Sequence, residues 1–503
     1  MPNANSATES RQVRMPSGID GLDTILRGGL IHGHIYIVEG LPGAGKTILT
    51  NQVCFNHAAA GGRALFVTLL AENHTQLISN LRSLSFFDEG VIPDGIEYLS
   101  AYSELRDGGL AALVALLRRE IKRQKASLVV IDGLVSAAVS AESVQAFKEF
   151  FHDLQRVALL HDCTILLTTN TSRNDAPERT MVDGVIELTD RSYGWDTSRD
   201  LQVTKFRGDG FVGGRHSYEI RDDGIVVHPR LEALYAYPSR KDEAPEGVLA
   251  IGVKKLDAML RGGLPAASTT MITGPSGIGK TTLGLHFLSG SSAEEPGLMF
   301  SFYETPARLQ VRTDRMKPPL RELRESGLVE LIWHTPTAEL LDAYGQALLA
   351  AVDRRKVRRL FIDGLTAFKS GAIDPSRIGN FFSALANELR ARGVTTVYSL
   401  EVPNILGPTA SLPVDDAAGL AENMILMRFV ERGAHLHRLV SVLKMRDSDF
   451  DPSLYEFRLT SAGMEIQDSS DSAQAILSDP MQSGHRPDRA TGADAGSKPE
   501  SDH

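Results

Sequence analysis

The sequence predicts an α/β protein of two consecutive domains, each with a mainly parallel, twisted sheet flanked by helices. Three observations predict this fold. The chain has 503 residues, which is enough for about two to four domains. Its landmarks occur twice in the same order, and apolar, β-rich runs alternate with helical patterns in both copies. Strands that alternate with helices form a mainly parallel sheet with helices on both faces.

The duplication rests on four shared landmarks. Residues 27–30 (RGGL) return as 261–264, and residues 40–47 (GLPGAGKT) return as 274–281 (GPSGIGKT), in both cases 234 positions later. Further on, Asp132 corresponds to Asp363, and the segment 205–207 (KFR) corresponds to 444–446 (KMR). A period this long indicates that each copy is a whole domain with its own core.

Composition changes along the chain predict the domain boundaries. The first domain is expected at 15–238 and the second at 248–466, joined by a charged, proline-containing linker at 239–247. The polar segment 1–14 is expected to be a flexible N-terminus. Residues 467–503 are rich in Ser, Asp, Gly, Pro and Ala, so a disordered C-terminal tail is expected there.

Apolar runs place the predicted strands in each copy. The first copy has such runs at 34–38, 64–69 and 128–131, and the second at 269–272, 298–302 and 359–362. A helix is predicted to begin at Lys46, directly after the first run and the glycine-rich segment.

Composition and charge exclude several classes of protein. With 42% apolar and 23% charged residues and no apolar run of about 18 residues, a membrane span is not expected. The first residues lack the apolar core of a secretory signal, so a cytoplasmic location is expected. The net charge of −10 weighs against a nucleic-acid partner. Cys54 and Cys163 lie in apolar stretches and are predicted to be buried thiols.

Two Gly-x4-Gly-Lys-Thr segments carry the strongest chemical signal. The glycines let the loop wrap so that backbone N–H groups face phosphate oxygens, and the following helix N-terminus adds its positive end. Lys46 and Lys280 are expected to reach the β- and γ-phosphates of ATP. The predicted nucleotide-binding residues are Gly40, Gly43, Ala44, Gly45, Lys46, Thr47 and Ile48, and Gly274, Gly277, Ile278, Gly279, Lys280, Thr281 and Thr282.

Hydroxyl and carboxyl groups near these loops predict Mg²⁺ sites. Thr47 and Thr281 are expected to ligate the ion that bridges the phosphates. Asp132 and Asp363 each close an apolar strand, where a carboxylate can hold the hydration shell of Mg²⁺. The alternative is an Asp that only starts a turn after a buried strand.

A nucleotide-hydrolysing site also needs a group that orients the attacking water. In RecA-like enzymes a carboxylate after the second strand usually has this role, and Glu72 and Glu304 occupy that place. The alternative is that both are ordinary surface glutamates.

Each copy has one basic pair, which lies too far along the sequence to belong to the phosphate loop of the same copy. Lys205 with Arg207, and Lys444 with Arg446, alternate on a predicted strand and would share one face. Such a pair can reach the ATP of a neighbouring subunit and stabilise its transition state. The alternative is a solvated strand edge.

Over residues 15–466 the chain resembles the KaiC family, the double-domain RecA-like P-loop ATPases of the circadian clock. The resemblance is carried by residues 18–23 (GIDGLD) and 252–257 (GVKKLD) ahead of Gly-Gly-Leu, both phosphate loops, 303–306 (YETP), and the 444–446 segment followed by Ser448 and Asp451. It implies a homohexameric ring with ATP at subunit interfaces, hydrolysis in the first ring, autophosphorylation in the second, and a KaiB-like or other signalling protein as partner.

Two departures from the family pattern limit what the resemblance implies. The family usually has a Glu-Glu pair after the second strand, whereas this chain has Ala71-Glu72 and Tyr303-Glu304. Where clock members place a Ser-Thr acceptor pair, this chain has Ala418-Gly419, with Thr409 and Ser411 as the nearest hydroxyls before them. The predicted function is therefore an ATP-hydrolysing ring protein with a regulatory role that lacks the usual autophosphorylation pair.

Two other functions remain as alternatives. One is a serine/threonine kinase of the same family that uses another acceptor. The other is a RecA- or DnaB-like DNA-dependent ATPase, which the acidic net charge disfavours.

Overall fold

A computed structural model describes residues 13–70, 74–170, 177–193, 196–241, 246–314, 320–336, 340–402, 421–432, 435–471 and 473. Over these ranges the chain forms two nine-stranded sheets, one in each half, and each half also has a two-stranded ribbon. Helices flank both sheets. The predicted α/β class, with two tandem RecA-like domains, is confirmed.

The first half contains strands β1 to β11 and helices α1 to α8. The strands are β1 (Arg14–Met15), β2 (Leu30–Ile31), β3 (Ile35–Gly40), β4 (Ala64–Thr68), β5 (Ile96–Ser100), β6 (Leu128–Asp132), β7 (Thr164–Thr169), β8 (Gly184–Tyr193), β9 (Asp196–Phe206), β10 (Arg215–Arg221) and β11 (Gly224–His228). The helices are α1 (Asp20–Ile25), α2 (Lys46–Ala59), α3 (His74–Leu81), α4 (Tyr102–Gln124), α5 (Leu134–Val139), α6 (Val144–His161), α7 (Pro177–Met181) and α8 (Leu231–Leu234), with a 3-10 turn at Glu89–Val91.

The second half repeats this arrangement with strands β12 to β22 and helices α9 to α15. The strands are β12 (Val248–Leu249), β13 (Leu264–Pro265), β14 (Thr269–Gly274), β15 (Gly297–Ser301), β16 (Val329–Trp333), β17 (Arg359–Asp363), β18 (Thr395–Glu401), β19 (Asn423–Arg432), β20 (His435–Lys444), β21 (Tyr455–Thr460) and β22 (Gly463–Ile466). The helices are α9 (Lys254–Met259), α10 (Lys280–Ser289), α11 (Pro306–Thr313), α12 (Leu320–Glu325), α13 (Leu341–Arg355), α14 (Leu365–Ser370) and α15 (Ile378–Ala391), with a 3-10 turn at Pro375–Arg377.

The two large sheets have the same strand order. The first runs β5-β4-β6-β7-β3-β8-β9-β10-β11 and the second β16-β15-β17-β18-β14-β19-β20-β21-β22. The first six strands in each order are parallel, and the remaining three continue the sheet antiparallel. In a parallel sheet the carboxyl ends of the strands meet at one edge, which is where ligands bind in open α/β folds.

Strand β3 shows why the central strands form where the sequence predicted them. All of its six residues are buried, as expected for a strand covered by helices on both faces. Tyr36 and Val38 belong to the core that α2 shares, whereas Ile35 and Ile37 belong to the core on the opposite face. The strand leads directly into the glycine-rich loop and α2, which begins at Lys46.

The two halves meet at a short helix that follows the first sheet. Leu231 of α8 is fully buried in the core of the second half with Tyr344 and Phe381. Arg377 donates to Glu232 of the same helix at 2.8 and 3.0 Å and to both carboxylate oxygens of Asp342 at 2.9 Å. Apolar packing and a charged network therefore hold α8 to the second half.

The helices and the two cysteines can be compared with what the composition predicted. Among the described residues, no helix combines the length and apolar character needed to cross a bilayer. Cys54 and Cys163 are free and buried. Burial raises the pKa of the Cys54 thiol, and burial together with nearby Asp162 raises that of Cys163 to about 12, so both thiols stay protonated at neutral pH.

Candidate active sites

The first glycine-rich loop follows β3 at the carboxyl edge of the first sheet. Gly45 has φ +93° and ends the loop directly before α2. A Cβ atom at Gly45 would lie 2.9 Å from Cδ1 of Ile220 on β10. Glycine is therefore required here both by the left-handed backbone and by the close packing of the loop against the antiparallel end of the sheet.

The second loop repeats this construction after β14. Gly279 has φ +121°, and its Cβ atom would lie 3.0 Å from Cδ2 of Leu459 on β21. Since β10 and β21 occupy equivalent places in the two sheets, the same packing constraint produces the same loop twice.

The loop lysines are bound by the beginning of their own loops. Lys46 Nζ donates to Gly40 O at 2.7 Å and to Leu41 O at 3.1 Å. Lys280 Nζ donates to Gly274 O and to Pro275 O, both at 2.8 Å. Each ammonium group is thus held at the mouth of a loop, where phosphate oxygens can replace the carbonyl partners.

Burial lowers the pKa of both lysines, and nearby carboxylates oppose that change. For Lys46 the opposing charge is Asp132. For Lys280 the opposing charges are Glu401 and Asp363. An anionic ligand would stabilise the charged ammonium groups in the same way, so both positions are electrostatically suited to phosphate.

Each loop borders a cavity that is lined by most of the nucleotide-binding residues predicted for that loop. The first cavity measures about 380 Å³ and is lined by Gly43, Gly45, Lys46, Thr47, Ile48 and Asp132 among others. The second measures about 560 Å³ and is lined by Gly277, Gly279, Lys280, Thr281, Thr282, Glu304 and Asp363 among others.

Four of the predicted nucleotide-binding residues do not line either cavity. Ala44 and Ile278 are buried in the hydrophobic cores, and their N–H groups donate within the loops, to Leu41 O and Pro275 O. Gly40 and Gly274 end β3 and β14 and supply the carbonyl groups that hold the lysines. All four shape the loops and do not line the cavities.

Hydroxyl groups hold the two aspartates at the sheet edge. In the second site Thr281 Oγ1 donates to Asp363 Oδ2 at 3.0 Å, and Ser399 Oγ donates to Asp363 Oδ1 at 2.7 Å. In the first site Thr168 Oγ1 donates to Asp132 Oδ1 and accepts from Gly133 N at 3.1 Å. Thr168 and Ser399 were not among the residues predicted for the sites.

The donor set fits Mg²⁺. Thr281 and Asp363 supply one hydroxyl and one carboxylate, both hard oxygen donors, and Thr47 and Asp132 line the first cavity in the equivalent places. The part of the chain that the structure describes has no group of three or more His, Cys, Asp or Glu residues able to hold a metal ion. A sparse oxygen set suits Mg²⁺, which usually keeps several waters and takes its other ligands from substrate phosphates.

Of the two glutamates predicted to orient water, the structure describes only Glu304. Glu304 is half-buried and lines the second cavity together with Tyr303. Glu72 lies outside the described residues, as do Thr409, Ser411, Ala418 and Gly419 of the predicted acceptor region.

The basic pairs lie away from both cavities of their own chain. Lys205 Nζ donates to Arg179 O at 2.8 Å and to Thr180 O at 3.0 Å, and Lys444 Nζ donates to Ala421 O at 2.9 Å. Arg207 and Arg446 are exposed. These contacts place each lysine against the segment that enters β8 or β19.

The expectation that both members of each pair alternate on one strand is wrong. Strand β9 ends at Phe206, before Arg207, and β20 ends at Lys444, two residues before Arg446. The cause differs between the halves: Arg207 N still donates to Asp183 O at 2.7 Å just beyond the end of β9, whereas Arg446 lies in a bend after β20. Phe206 pairs with Gly184, the first residue of β8, and Lys444 pairs with Met424, the second residue of β19.

Comparison with known proteins agrees with this double site. The sequence model of the KaiC ATPase family matches residues 15–232 and 249–471. The chain is 27% identical to the circadian clock oscillator protein KaiC of Nostoc sp., over 92% of this chain and 90% of that protein. It is 27% identical to KaiC of Rippkaea orientalis and 26% identical to KaiC of Synechococcus elongatus, each over 95% of this chain and 93% of the relative. The chain therefore belongs to the KaiC family of ATPases.

Proposed function

We propose that the protein binds and hydrolyses ATP with Mg²⁺ at both sites. The observation that carries this proposal is the repeated construction itself. Each half joins a glycine loop, its lysine, a threonine hydroxyl and a strand-end aspartate around one cavity at the carboxyl edge of a parallel sheet.

The residues of each site have separable roles in this reaction. Backbone N–H groups of the loop and the N-terminus of α2 or α10 bind the phosphates, and Lys46 or Lys280 exchanges its carbonyl partners for β- and γ-phosphate oxygens. Thr47 with Asp132, and Thr281 with Asp363, are the residues that would hold Mg²⁺. When bound, the ion would neutralise charge on the phosphates.

The proposed working form is a homohexameric ring. Neither cavity of the chain is lined by the basic pairs, which are Lys205 with Arg207 and Lys444 with Arg446. Both arginines are exposed. In a ring each pair can face the nucleotide of a neighbouring subunit, where a cation stabilises the charge that develops during phosphoryl transfer.

The proposed biological role is regulatory and of the clock type. Its support is similarity to proteins named circadian clock oscillator protein KaiC along 92–95% of this chain. A KaiB-like or other signalling protein is the proposed partner. Kinase activity is not part of this proposal.

Nucleotide stoichiometry and phosphate release test the two-site proposal. The parent protein should bind two nucleotides per chain, and Lys46→Ala and Lys280→Ala should each bind one. The double variant should release no phosphate, and single-stranded DNA should leave the turnover of the parent unchanged. Lys122→Ala, an exposed lysine on α4, is the matched control. Unchanged stoichiometry in both single variants would contradict the proposal.

A further inference from the structure

The second site contains a carboxylate at the end of β18 to which the proposed function gives no role. Glu401 is the last residue of that strand and the register partner of Gly274, where the second glycine loop begins. Strand β18 lies between β14, which leads into the loop, and β17, which ends at Asp363. The Glu401 side chain therefore leaves the sheet between the phosphate-binding loop and the Mg²⁺-side aspartate.

The direction of this side chain follows from Ser399, two residues earlier. Side chains two apart on a strand lie on the same face, and Ser399 Oγ contacts Asp363 Oδ1 at 2.7 Å. Glu401 is about 6.6 Å further toward the carboxyl edge. It lines the same cavity as Lys280, Thr281 and Asp363.

Glu401 is close enough to act electrostatically on the loop lysine. Burial lowers the pKa of Lys280, and Glu401 opposes that change more strongly than Asp363 does. The terminal phosphate of a bound nucleotide must approach the same lysine. Because Glu401 lines the cavity that this phosphate would enter, a water molecule next to the phosphate would share that cavity with the Glu401 carboxylate.

The first site has an amide at the equivalent place. Thr168 contacts Asp132 as Ser399 contacts Asp363, and Asn170, two residues after Thr168, lines the first cavity. An amide oxygen can accept a hydrogen bond from water, but the group does not take up a proton at neutral pH. The two sites therefore differ chemically at one position next to the reacting atoms.

Resting on the function proposed above, we propose that Glu401 is a catalytic residue of the second site that orients the attacking water and accepts its proton. The water oxygen bonds to the γ-phosphorus as the bond from phosphorus to the bridging oxygen breaks. ADP leaves with that electron pair, and one proton of the water passes to the Glu401 carboxylate and then to solvent.

The test isolates the second site in a Lys46→Ala parent. Glu401→Gln should lower kcat for phosphate release by about 10²-fold or more, with KM for ATP and the Kd of a fluorescent ADP analogue changed by less than about threefold. Glu401→Asp should recover part of the rate, because it restores a carboxylate at a shorter reach. Glu304→Gln in the same parent compares the other carboxylate that lines this cavity.

Each outcome of the test decides the proposal. A Glu401→Gln variant that turns over within twofold of the parent overturns it. So does a variant whose loss disappears at saturating Mg²⁺, which would make Glu401 a metal-site residue. A loss confined to Glu304→Gln would move the role to that residue. A Lys46→Ala parent that binds nucleotide but releases no phosphate contradicts both this inference and hydrolysis at the second site. A parent that turns over beside an equally active Glu401→Gln variant contradicts the inference alone.

Discussion

Ser399 Oγ donates to Asp363 Oδ1 at 2.7 Å and accepts from Gly364 N at 2.9 Å, so one buried hydroxyl links the Mg²⁺-side carboxylate to the backbone of the next turn. Thr168 makes the equivalent link to Asp132 and Gly133 in the first site. Hydrogen bonds of this kind orient a carboxylate before a metal ion arrives.

The first prediction concerns this hydroxyl. In a Lys46→Ala parent, where only the second site turns over, Ser399→Ala should raise the Mg²⁺ concentration for half-maximal phosphate release by about 10-fold or more. Thr168→Ala in the same parent is the matched control and should leave that concentration unchanged, because Thr168 belongs to the first site. An equal response in both variants would show that the hydroxyl does not orient Asp363.

The second prediction concerns the ring. In a Lys280→Ala parent, Arg207→Ala should reduce phosphate release from the first site by up to about 10³-fold, whereas nucleotide affinity should change by less than about threefold. The reason is that a cation from a neighbour stabilises charge that develops mainly in the transition state. Arg118→Ala, an exposed arginine on α4, is the control. A Lys280→Ala parent that is monomeric by light scattering with ATP and Mg²⁺, yet releases phosphate from its first site at the full rate, is incompatible with this role.

The central parts of both sites could be predicted because their signals are local in sequence. Lys46 and Lys280 lie at a fixed spacing from the loop glycines, and Asp132 and Asp363 follow directly on apolar strands. The six predicted strands coincide with β3, β4, β6, β14, β15 and β17 to within two residues. Buried parallel strands are nearly continuous apolar runs, which makes them visible in sequence.

The contributions of Ser399 and Glu401 could not be predicted, because they depend on strand order. Strand β18 follows β17 along the chain but is inserted between β17 and β14 in the sheet. Only that insertion brings its last residues to the phosphate loop. The ends of β9 and β20 could not be predicted either, because they depend on pairing with β8 and β19.

The third prediction concerns phosphorylation near Ala418 and Gly419, where the family resemblance implies a Ser-Thr acceptor pair that this chain lacks. After incubation with ATP and Mg²⁺, the intact mass of the chain should show no stoichiometric phosphate in the second half. Phosphoryl transfer needs an acceptor oxygen in line with the γ-phosphate, and the sequence has no Ser, Thr or Tyr from Val414 to Arg428. One phosphate per chain, mapped to the second half, would contradict this prediction and favour the kinase alternative.

The fourth prediction concerns pH and a buried carboxyl group on β3. Glu39, which is 1% exposed, directly precedes the first glycine loop, and its Oε1 lies 3.2 Å from Arg179 Nη1. Burial raises the pKa of Glu39 from 4.5 to about 7, against the opposing effect of Arg179, and Glu187 and Glu178 raise it further. The folded chain therefore binds this proton more tightly than the unfolded chain does.

A pKa raised by folding makes stability fall with increasing pH between the two values. Below about pH 4.5 the carboxyl is protonated in both states and costs nothing, whereas above about pH 7 its charge is buried in the folded state. Between pH 4.5 and 7 the thermal midpoint of Glu39→Gln should rise relative to that of the parent by roughly 5–10 °C, on the order of 2–3 kcal/mol. Glu149→Gln, at an exposed position on α6, should show no such relative change. A constant difference between parent and Glu39→Gln across this range would mean that Glu39 titrates alike in the folded and unfolded chains.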